Sequence, residues 1–297
     1  MTDTRAPAGL RPRRLAYLGT PGIAVPPLRA LHGAGFEIVC VVTGPDRRRG
    51  RGGATSPTPV KAAALELGLA VTHDLDDVVA AGAELGVVVA YGSIIPVSIL
   101  ERVPMVNLHF SLLPRWRGAA PVERAILAGD TETGVCVMEV AEGLDTGAVH
   151  ARATIPLTDD DTTESVWSTL SDIGADLLVA QLRDGLGEPV EQVGEITYAK
   201  KLSTDDLRID WTAPAVMAER VVRVGGAHTT FRGARVKVLA ARVVDGRAEP
   251  GVLVGTSVGT GDGLLQLLEV QPEGRARMRA EDWRNGARVA DGEVLGA

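Results

Sequence analysis

Apolar residues in the first half of the chain form strand-length runs that alternate with amphipathic stretches. The runs RLAYLG from Arg14 and FEIVCVV from Phe36 enclose an Ala/Leu-rich amphipathic segment that ends near Gly33. A strand, a helix and a strand in this order are typical of a parallel βαβ unit. The pattern therefore predicts an α/β fold around a parallel-type sheet.

The same alternation continues to a long amphipathic helix that opens with threonine caps. Further strands are predicted over 85–92, 105–110 and 134–140. Further helices are predicted over 60–68, 121–129 and 162–184. Between them, residues 44–61 are rich in Gly, Pro and Arg and lack apolar periodicity, which indicates a long exposed loop.

The pattern changes in the last third of the chain. Short alternating runs such as RVKVLAAR and GLLQLLEVQ, separated by glycine and aspartate, predict a small all-β unit of the barrel type. We expect a first domain over 1–189, with a flexible segment over 1–13, a linker over 190–205 and a second domain over 206–297.

Composition supports a soluble two-domain protein. The chain has 297 residues, a length greater than that of one usual compact domain. Of these residues, 45% are hydrophobic and 23% are charged, as in a globular protein. No apolar run reaches the roughly 18 to 20 residues of a membrane helix, and the N-terminus lacks the apolar core of a secretory signal. We expect a cytoplasmic protein without membrane contact, in which Cys40 and Cys136 are buried thiols.

The net charge of −7 conceals an asymmetry between the two ends of the chain. Residues 1–195 carry 16 basic and 25 acidic residues, whereas residues 196–297 carry 15 and 13. Residues 220–247 contain seven Lys or Arg and a single acidic residue, Asp245. A basic patch on a small β unit is suited to the backbone of RNA, and a scattered solvent-exposed face is the alternative.

Polar residues at the end of the strand over 105–110 are the main candidates for chemistry. Asn107 and His109 are two residues apart and project from the same face of the strand, and Asp145 lies in a glycine-flanked turn after the next predicted strand. Ligands bind at the carboxyl ends of parallel strands, so we expect the three to meet. An amide donor, an imidazole and a carboxylate together suit acyl-group transfer. The alternative is a structural pair and an ordinary turn residue.

The segments NLHFSLLPRWRGAAPVERAILAGDTETGV and GLDTG resemble the signature of the 10-formyltetrahydrofolate-dependent formyltransferases. Further similar segments, among them GTPGIAVPPLRAL, VVVAYGSIIP and ITYAKKLSTDDLRIDW, follow in the family's order from Arg14 onwards. The resemblance implies a Rossmann-like formyltransferase domain and a C-terminal OB-like barrel. It also implies formyl transfer from 10-formyltetrahydrofolate, as cosubstrate, to the α-amino group of methionyl initiator tRNA.

The resemblance assigns roles to individual residues. It makes Asn107, His109 and Asp145 the catalytic triad, in which Asn107 and a protonated His109 stabilise the oxyanion and Asp145 favours the imidazolium. The folate-binding residues that it implies are Ser111, Leu112, Leu113, Pro114, Tyr91 and Gly92; Tyr91 is alternatively ordinary core. The tRNA-binding residues that it implies are Arg47, Arg48, Arg49, Arg51, Arg232, Arg235 and Lys237; for the four loop arginines, a solvated charge run is the alternative.

The chain departs from the family pattern at three places. Arg48 and Arg49 replace a Pro-Ala pair, Gly53 and Ala54 stand where lysines are common, and His228 stands where tryptophan is common. His32, His73, His150 and His228 lack partners at metal-ligand spacing, so no metal site is expected.

Other functions are less consistent with the sequence. The turn GTPG after the first strand is not GxGxxG, which disfavours an NAD-dependent oxidoreductase. A formyltransferase acting on an amino sugar nucleotide or another small amine, and a noncatalytic RNA-binding protein with the same fold, remain alternatives. We expect a monomer.

Overall fold

The computed structural model describes residues 6–48 and 55–296, which form two compact units. The first unit contains the described parts of 1–122, 132–156 and 164–200, and the second contains 123–131, 157–163 and the described residues from 201 onwards. Residues 190–200 of the predicted linker thus belong to the first unit.

The first unit is built around a seven-stranded sheet with helices between its strands. The strands up to residue 200 are β1 Arg14–Gly19, β2 Glu37–Val42, β3 Arg47–Arg48, β4 Thr55–Ser56, β5 Val71–Thr72, β6 Leu85–Val89, β7 Met105–His109, β8 Arg117–Gly118, β9 Glu132–Glu139, β10 Val149–Pro156 and β11 Tyr198–Ala199. The helices in this part of the chain are α1 Val25–Gly33, α2 Pro59–Glu66, α3 Asp76–Ala80, α4 Val97–Leu100, α5 Pro121–Ala128 and α6 Thr163–Asp184.

The strand order of the large sheet is β10-β9-β7-β6-β1-β2-β5. The five strands from β7 to β5 are parallel to their neighbours, which confirms the predicted α/β fold with a mostly parallel sheet. Strand β9 runs antiparallel to β7, and β10 antiparallel to β9. The sheet is therefore mixed at one edge, and β10 was not predicted from the sequence.

The packing of β7 against helix α6 determines which residues of the strand lie on each face of the sheet. Leu108 is buried, and helix α6 lies close to it because α6 carries Gly174 at that point. A Cβ atom on Gly174 would lie 2.9 Å from Leu108 Cδ2. Burying a leucine stabilises the fold by about 1.5–3 kcal/mol, so this face of β7 is strongly specified. Asn107 and His109 must then project from the opposite face.

Two loop predictions differ from the structure. Ala6 is buried, and Gly9 N–H donates to Leu186 O at 2.7 Å, so residues 6–13 are held against the unit rather than free as predicted. Within 44–61, the described residues form the β3–β4 pair and the start of α2, which Thr58 caps by accepting from Lys61 N–H at 3.1 Å.

From residue 201 onwards, the second unit is an antiparallel sheet with two α-helices. Its elements are α7 Ala215–Val224, β12 His228–Phe231, β13 Ala234–Val244, β14 Leu253–Val254, β15 Ser257–Gly259, β16 Leu264–Pro272, β17 Met278–Arg279 and α8 Ala280–Gly286. The strand order is β12-β13-β16-β15-β14, and β17 also pairs with β16. Trp211, Phe231 and Trp283 are among its buried core residues. Helix α8 was not predicted from the sequence.

Candidate active site

The last three residues of β7 are Asn107, buried Leu108 and His109. The imidazole of His109 has a side-chain exposure of 6%, while Asn107 is half-buried. The amide of Asn107 makes no hydrogen bond within the described part of the chain. It is therefore available to a ligand that enters from this face of the sheet.

Asp145 reaches His109 by a route that the sequence did not predict. Strand β9 runs antiparallel to β7, so its last residue, Glu139, pairs with Val106 near the start of β7. The strand ends therefore do not coincide, and the loop after β9 folds back to bring Asp145 Oδ2 to 3.7 Å from His109 Nδ1. The structure thus brings together the imidazole and the carboxylate, but by a loop and not by adjacent parallel strands.

The second ring nitrogen of His109 lies against the backbone of the segment that follows β7. His109 Nε2 lies 3.0 Å from the carbonyl oxygen of Trp116, a residue with a left-handed φ of 63°. A carbonyl oxygen only accepts, so Nε2 carries a proton in the neutral ring and Nδ1 faces Asp145 with its lone pair. A further proton would therefore be added on Nδ1, directly beside the carboxylate.

Two hydrogen bonds hold Asp145, although its φ of 50° lies in the left-handed region. Its Oδ2 atom accepts from Gly118 N–H at 2.8 Å. Its carbonyl oxygen accepts from Gln192 Nε2 at 2.9 Å, and the same nitrogen donates to Gly147 O at 2.8 Å. The oxygen of the Gln192 amide in turn accepts two hydrogen bonds from buried Arg117. Sequence reasoning missed Arg117, Gly118 and Gln192, because nothing in their spacing relates them to Asp145.

The segment SLLP after β7 is mostly internal. Ser111 is fully buried, and its hydroxyl donates to Arg115 O at 2.6 Å. Leu113 is 1% exposed and packs with Cys136 and Met138. Pro114 is buried, and Leu112 lies over the backbone of β9, since a Cβ atom on Gly134 would meet its Cδ2 atom at 2.5 Å. Three of these side chains are thus buried and Leu112 is half-buried, and contact of this segment with folate stays a prediction.

Tyr91 and Gly92 follow β6, the strand beside β7. Tyr91 is half-buried and packs against the core of the sheet, and burial raises the pKa of its phenol. Its carbonyl oxygen accepts from Thr20 Oγ1 at 3.1 Å. Gly92 is exposed with a φ of 80°, and Ile94 is 92% exposed. The structure therefore favours the core role for the Tyr91 side chain and leaves the loop beyond it accessible.

The predicted tRNA-binding loop is described only at its base. Arg49 and Arg51 lie outside the described residues, whereas the backbone of Arg47 and Arg48 pairs with β4. Below them, Lys61 Nζ binds Asp46 Oδ2 at 2.8 Å. The two ends of the loop are thus held together where they leave the first unit.

In the predicted basic patch of the second unit, carboxylate partners neutralise part of the positive charge. Arg223, whose side chain is 10% exposed, binds Glu219 at 2.8 Å and two backbone carbonyls at 3.1 Å. Arg232 makes two hydrogen bonds to Glu293, at 2.8 and 2.7 Å. Arg235 and Lys237, by contrast, are exposed on β13. All three predicted residues are exposed, and Arg232 is the one of them that the structure pairs with a carboxylate, Glu293, in the described part of the chain.

The described residues contain no cluster of three or more His, Cys, Asp or Glu side chains that could hold a metal ion. In the same part of the chain, no helix has both the length and the apolar character needed to cross a membrane.

Two family models match the chain along most of its length. Residues 13–182 match the formyl transferase model, and residues 201–288 match the model for the C-terminal domain of formyl transferases. A methionyl-tRNA formyltransferase from Ruegeria pomeroyi is 42% identical over 301 residues, which cover 95% of this chain and 100% of that protein.

Solved structures share the fold at lower identity. A methionyl-tRNA formyltransferase from Clostridium thermocellum has a TM-score of 0.58 at 16% identity, over 79% of this chain and 94% of that one. HypX from Aquifex aeolicus in complex with tetrahydrofolic acid has a TM-score of 0.65 at 17% identity, over 95% of this chain and 48% of that one. The two family matches and the identity to the Ruegeria protein together show that the chain belongs to the formyl transferase family.

Proposed function

We propose that this chain transfers the formyl group of 10-formyltetrahydrofolate to the α-amino group of methionyl initiator tRNA. The observation that carries the proposal is the pair of His109 and Asp145, 3.7 Å apart, beside the unengaged amide of Asn107. The near full-length identity to a methionyl-tRNA formyltransferase supports the choice of acceptor. The reaction forms a bond between the amine nitrogen and the formyl carbon and breaks the bond to N10 of the folate, while one proton passes from the amine to N10.

Asn107 supplies the donor for the charge that develops on the formyl oxygen. Its side-chain amide is held on a strand whose other face is packed against α6, so its position is set before the substrate binds. A preorganised amide donor of this kind typically contributes about 10²–10³-fold to the rate.

His109 and Asp145 act as a pair. A proton added to Nδ1 makes the ring cationic, and the carboxylate at 3.7 Å attracts that charge in a site with little solvent. Because Nε2 already donates to Trp116 O, the ring stabilises the developing oxyanion through its charge. Direct donation from Nε2 would require the Trp116 carbonyl to release it.

The loop after β6 is suited to folate. It follows the strand adjacent to β7, with Val88 beside Asn107 in the sheet, and it is exposed from Gly92 onwards. Its backbone groups and the exposed side chain of Ile94 would contact the ring system. When bound, the cosubstrate supplies the activated formyl group, and the residues on β7 orient it.

The second unit would bind the tRNA. We propose that it has an OB-like barrel fold and that this domain begins after the segment of residues 190–205. Exposed Arg235 and Lys237 on β13, with Arg47, Arg48, Arg49 and Arg51 in the loop of the first unit, would contact phosphates. Cations on a β unit and on a loop are consistent with a large anionic acceptor rather than a small amine.

A formylation assay tests the assignment. Purified protein is given 10-formyltetrahydrofolate and methionyl initiator tRNA, with an amino sugar nucleotide as a competing acceptor. We expect formylation of the tRNA, a loss of roughly 10²-fold or more in kcat for Asn107→Ala and for Asp145→Asn, and no loss for the exposed helix control Asp172→Asn. Formylation of the sugar alone would change the acceptor, and full activity in Asp145→Asn would contradict the mechanism.

A further inference from the structure

We propose that Gln192 is a positioning residue that holds Asp145 against His109. This inference rests on the role of Asp145 proposed above. Gln192 lies in the segment between α6 and the second unit and does not reach the imidazole itself. Its Nε2 atom donates to the carbonyl oxygens of Asp145, at 2.9 Å, and of Gly147, at 2.8 Å. One amide thus holds both sides of the turn that carries the catalytic carboxylate.

The turn needs such an anchor because its own backbone is not in a favoured conformation. Asp145 has a φ of 50°, a region that residues other than glycine seldom occupy. The preceding residue, Leu144, is 65% exposed, so apolar packing does not hold the turn from that side. Hydrogen bonds from Gln192 and from Gly118 therefore determine where the carboxylate lies.

Arg117 fixes the orientation of the Gln192 amide. Its Nε and Nη2 atoms donate to Gln192 Oε1 at 3.1 and 2.7 Å, and Arg117 is 8% exposed. Guanidinium groups have no acceptor, so the oxygen of the amide must face Arg117 and its nitrogen must face the turn. The chain of contacts runs from a buried cation through one amide to the turn.

The same segment also holds the residues that bind the imidazole. Thr197 Oγ1 accepts from Trp116 N–H at 2.9 Å, and Thr197 O accepts from Arg117 N–H at 2.9 Å. Trp116 O then binds His109, and the next strand residue, Gly118, binds Asp145. Residues 192–199 are therefore part of the catalytic apparatus and not only a connection between units.

The test is a double-mutant cycle in the full-length protein. Gln192→Met keeps the length of the side chain but removes its hydrogen bonds, and Gln192→Glu keeps the acceptor for Arg117 but removes the donors to the turn. Each is measured alone and together with Asp145→Asn, with kcat, KM for the folate and thermal unfolding as readouts. Gln181→Met is the matched control, because Gln181 accepts only a backbone N–H, from Gly187 at 3.0 Å.

We expect both Gln192 variants to lower kcat by roughly 10²-fold, the loss that a misplacement of about 1 Å produces, with KM for the folate unchanged. In the Asp145→Asn background the same substitutions should have little further effect, because the group that they position is already neutralised. Gln181→Met should retain wild-type kcat.

Two outcomes would overturn the inference: wild-type kcat in the folded Gln192 variants, or losses that multiply fully with those of Asp145→Asn. If Gln192→Met does not fold, Gln192→Glu carries the test, because its carboxylate still binds Arg117. Full activity in Asp145→Asn alone would instead refute the proposed function, so the two failures are distinguishable.

Discussion

Gly147, two residues after Asp145, is the position where a single methyl group should disturb catalysis most directly. A Cβ atom there would lie 2.0 Å from Glu139 O and 2.8 Å from Glu139 C. Both are backbone atoms of β9, so they cannot move without breaking the sheet. The shortest contact falls about 1.4 Å below the 3.4 Å at which ordinary contacts begin, and the turn itself must move outwards by that amount.

The displacement can be converted into expected effects on rate and stability. A shift of about 1 Å in a catalytic group can reduce the rate by roughly 10²-fold, which corresponds to about 2.7 kcal/mol of lost transition-state stabilisation. Overpacking a well-packed site costs about 1–3 kcal/mol in the free energy of unfolding. We therefore expect Gly147→Ala to fold with a lowered Tm and to lose most of its kcat.

The assay is steady-state formylation of methionyl initiator tRNA, with Tm from thermal unfolding of the same preparations. Gly33→Ala, at the end of α1, is the control, because a Cβ atom there meets no atom within 4 Å. We expect it to keep wild-type kcat. If Gly147→Ala had wild-type kcat, the turn would not need its observed position, and the assignment of Asp145 to a geometrically demanding role would be refuted.

Three further predictions concern stability, pH and tRNA binding. Leu108→Ala should lower the free energy of unfolding by about 3 kcal/mol, because it leaves a cavity between β7 and α6 that the surrounding residues do not fill; urea unfolding measures this. Hydrogen bonds from Ser203 and from Arg124 lower the pKa of Asp206 from 3.8 to about 2, so the carboxylate stabilises the fold above pH 4 and this contribution is lost as the pH falls towards 2. Asp206→Asn should therefore flatten the decline of Tm over that range, and an unchanged decline would contradict the reasoning. Lys237→Gln should reduce the slope of log K for tRNA against log salt by about 0.9, whereas Arg232→Gln, already paired internally, should leave it unchanged.

The strands that carry the site could be predicted from the sequence because their apolar pattern is local. Residues 85–92 and 105–110 are short, mostly apolar runs, and the structure places β6 and β7 within them. The alternation around Leu108 also indicated correctly that Asn107 and His109 share a face, since that follows from the period of a strand.

The path of Asp145 could not be predicted in the same way. An apolar run such as GVCVMEV predicts a strand but carries no information on whether the strand runs parallel or antiparallel to its neighbour. The direction is visible only in the tertiary structure, where β9 pairs antiparallel with β7. The expectation of adjacent strand ends was therefore wrong, although Asp145 does lie beside His109.

Charge counts were a similarly incomplete guide. The sequence shows seven basic residues over 220–247, but it does not show that Arg223 and Arg232 are bound to carboxylates. Ion pairing depends on side chains that are distant in the chain, such as Glu293, and only the fold determines which of them meet.

The sequence by itself determined the α/β fold of the first unit, the change to β structure in the second, the family and the residue types able to perform formyl transfer. These follow from local periodicity and from the order of chemical groups along the chain. The tertiary structure decided how Asp145 reaches His109, which turn residues are buried, and that Arg117 and Gln192 hold the site. Arg117 precedes Asp145 by 28 positions in the chain, and Gln192 follows it by 47. Hydrogen bonds between residues so far apart depend on close packing in three dimensions, which no local pattern encodes.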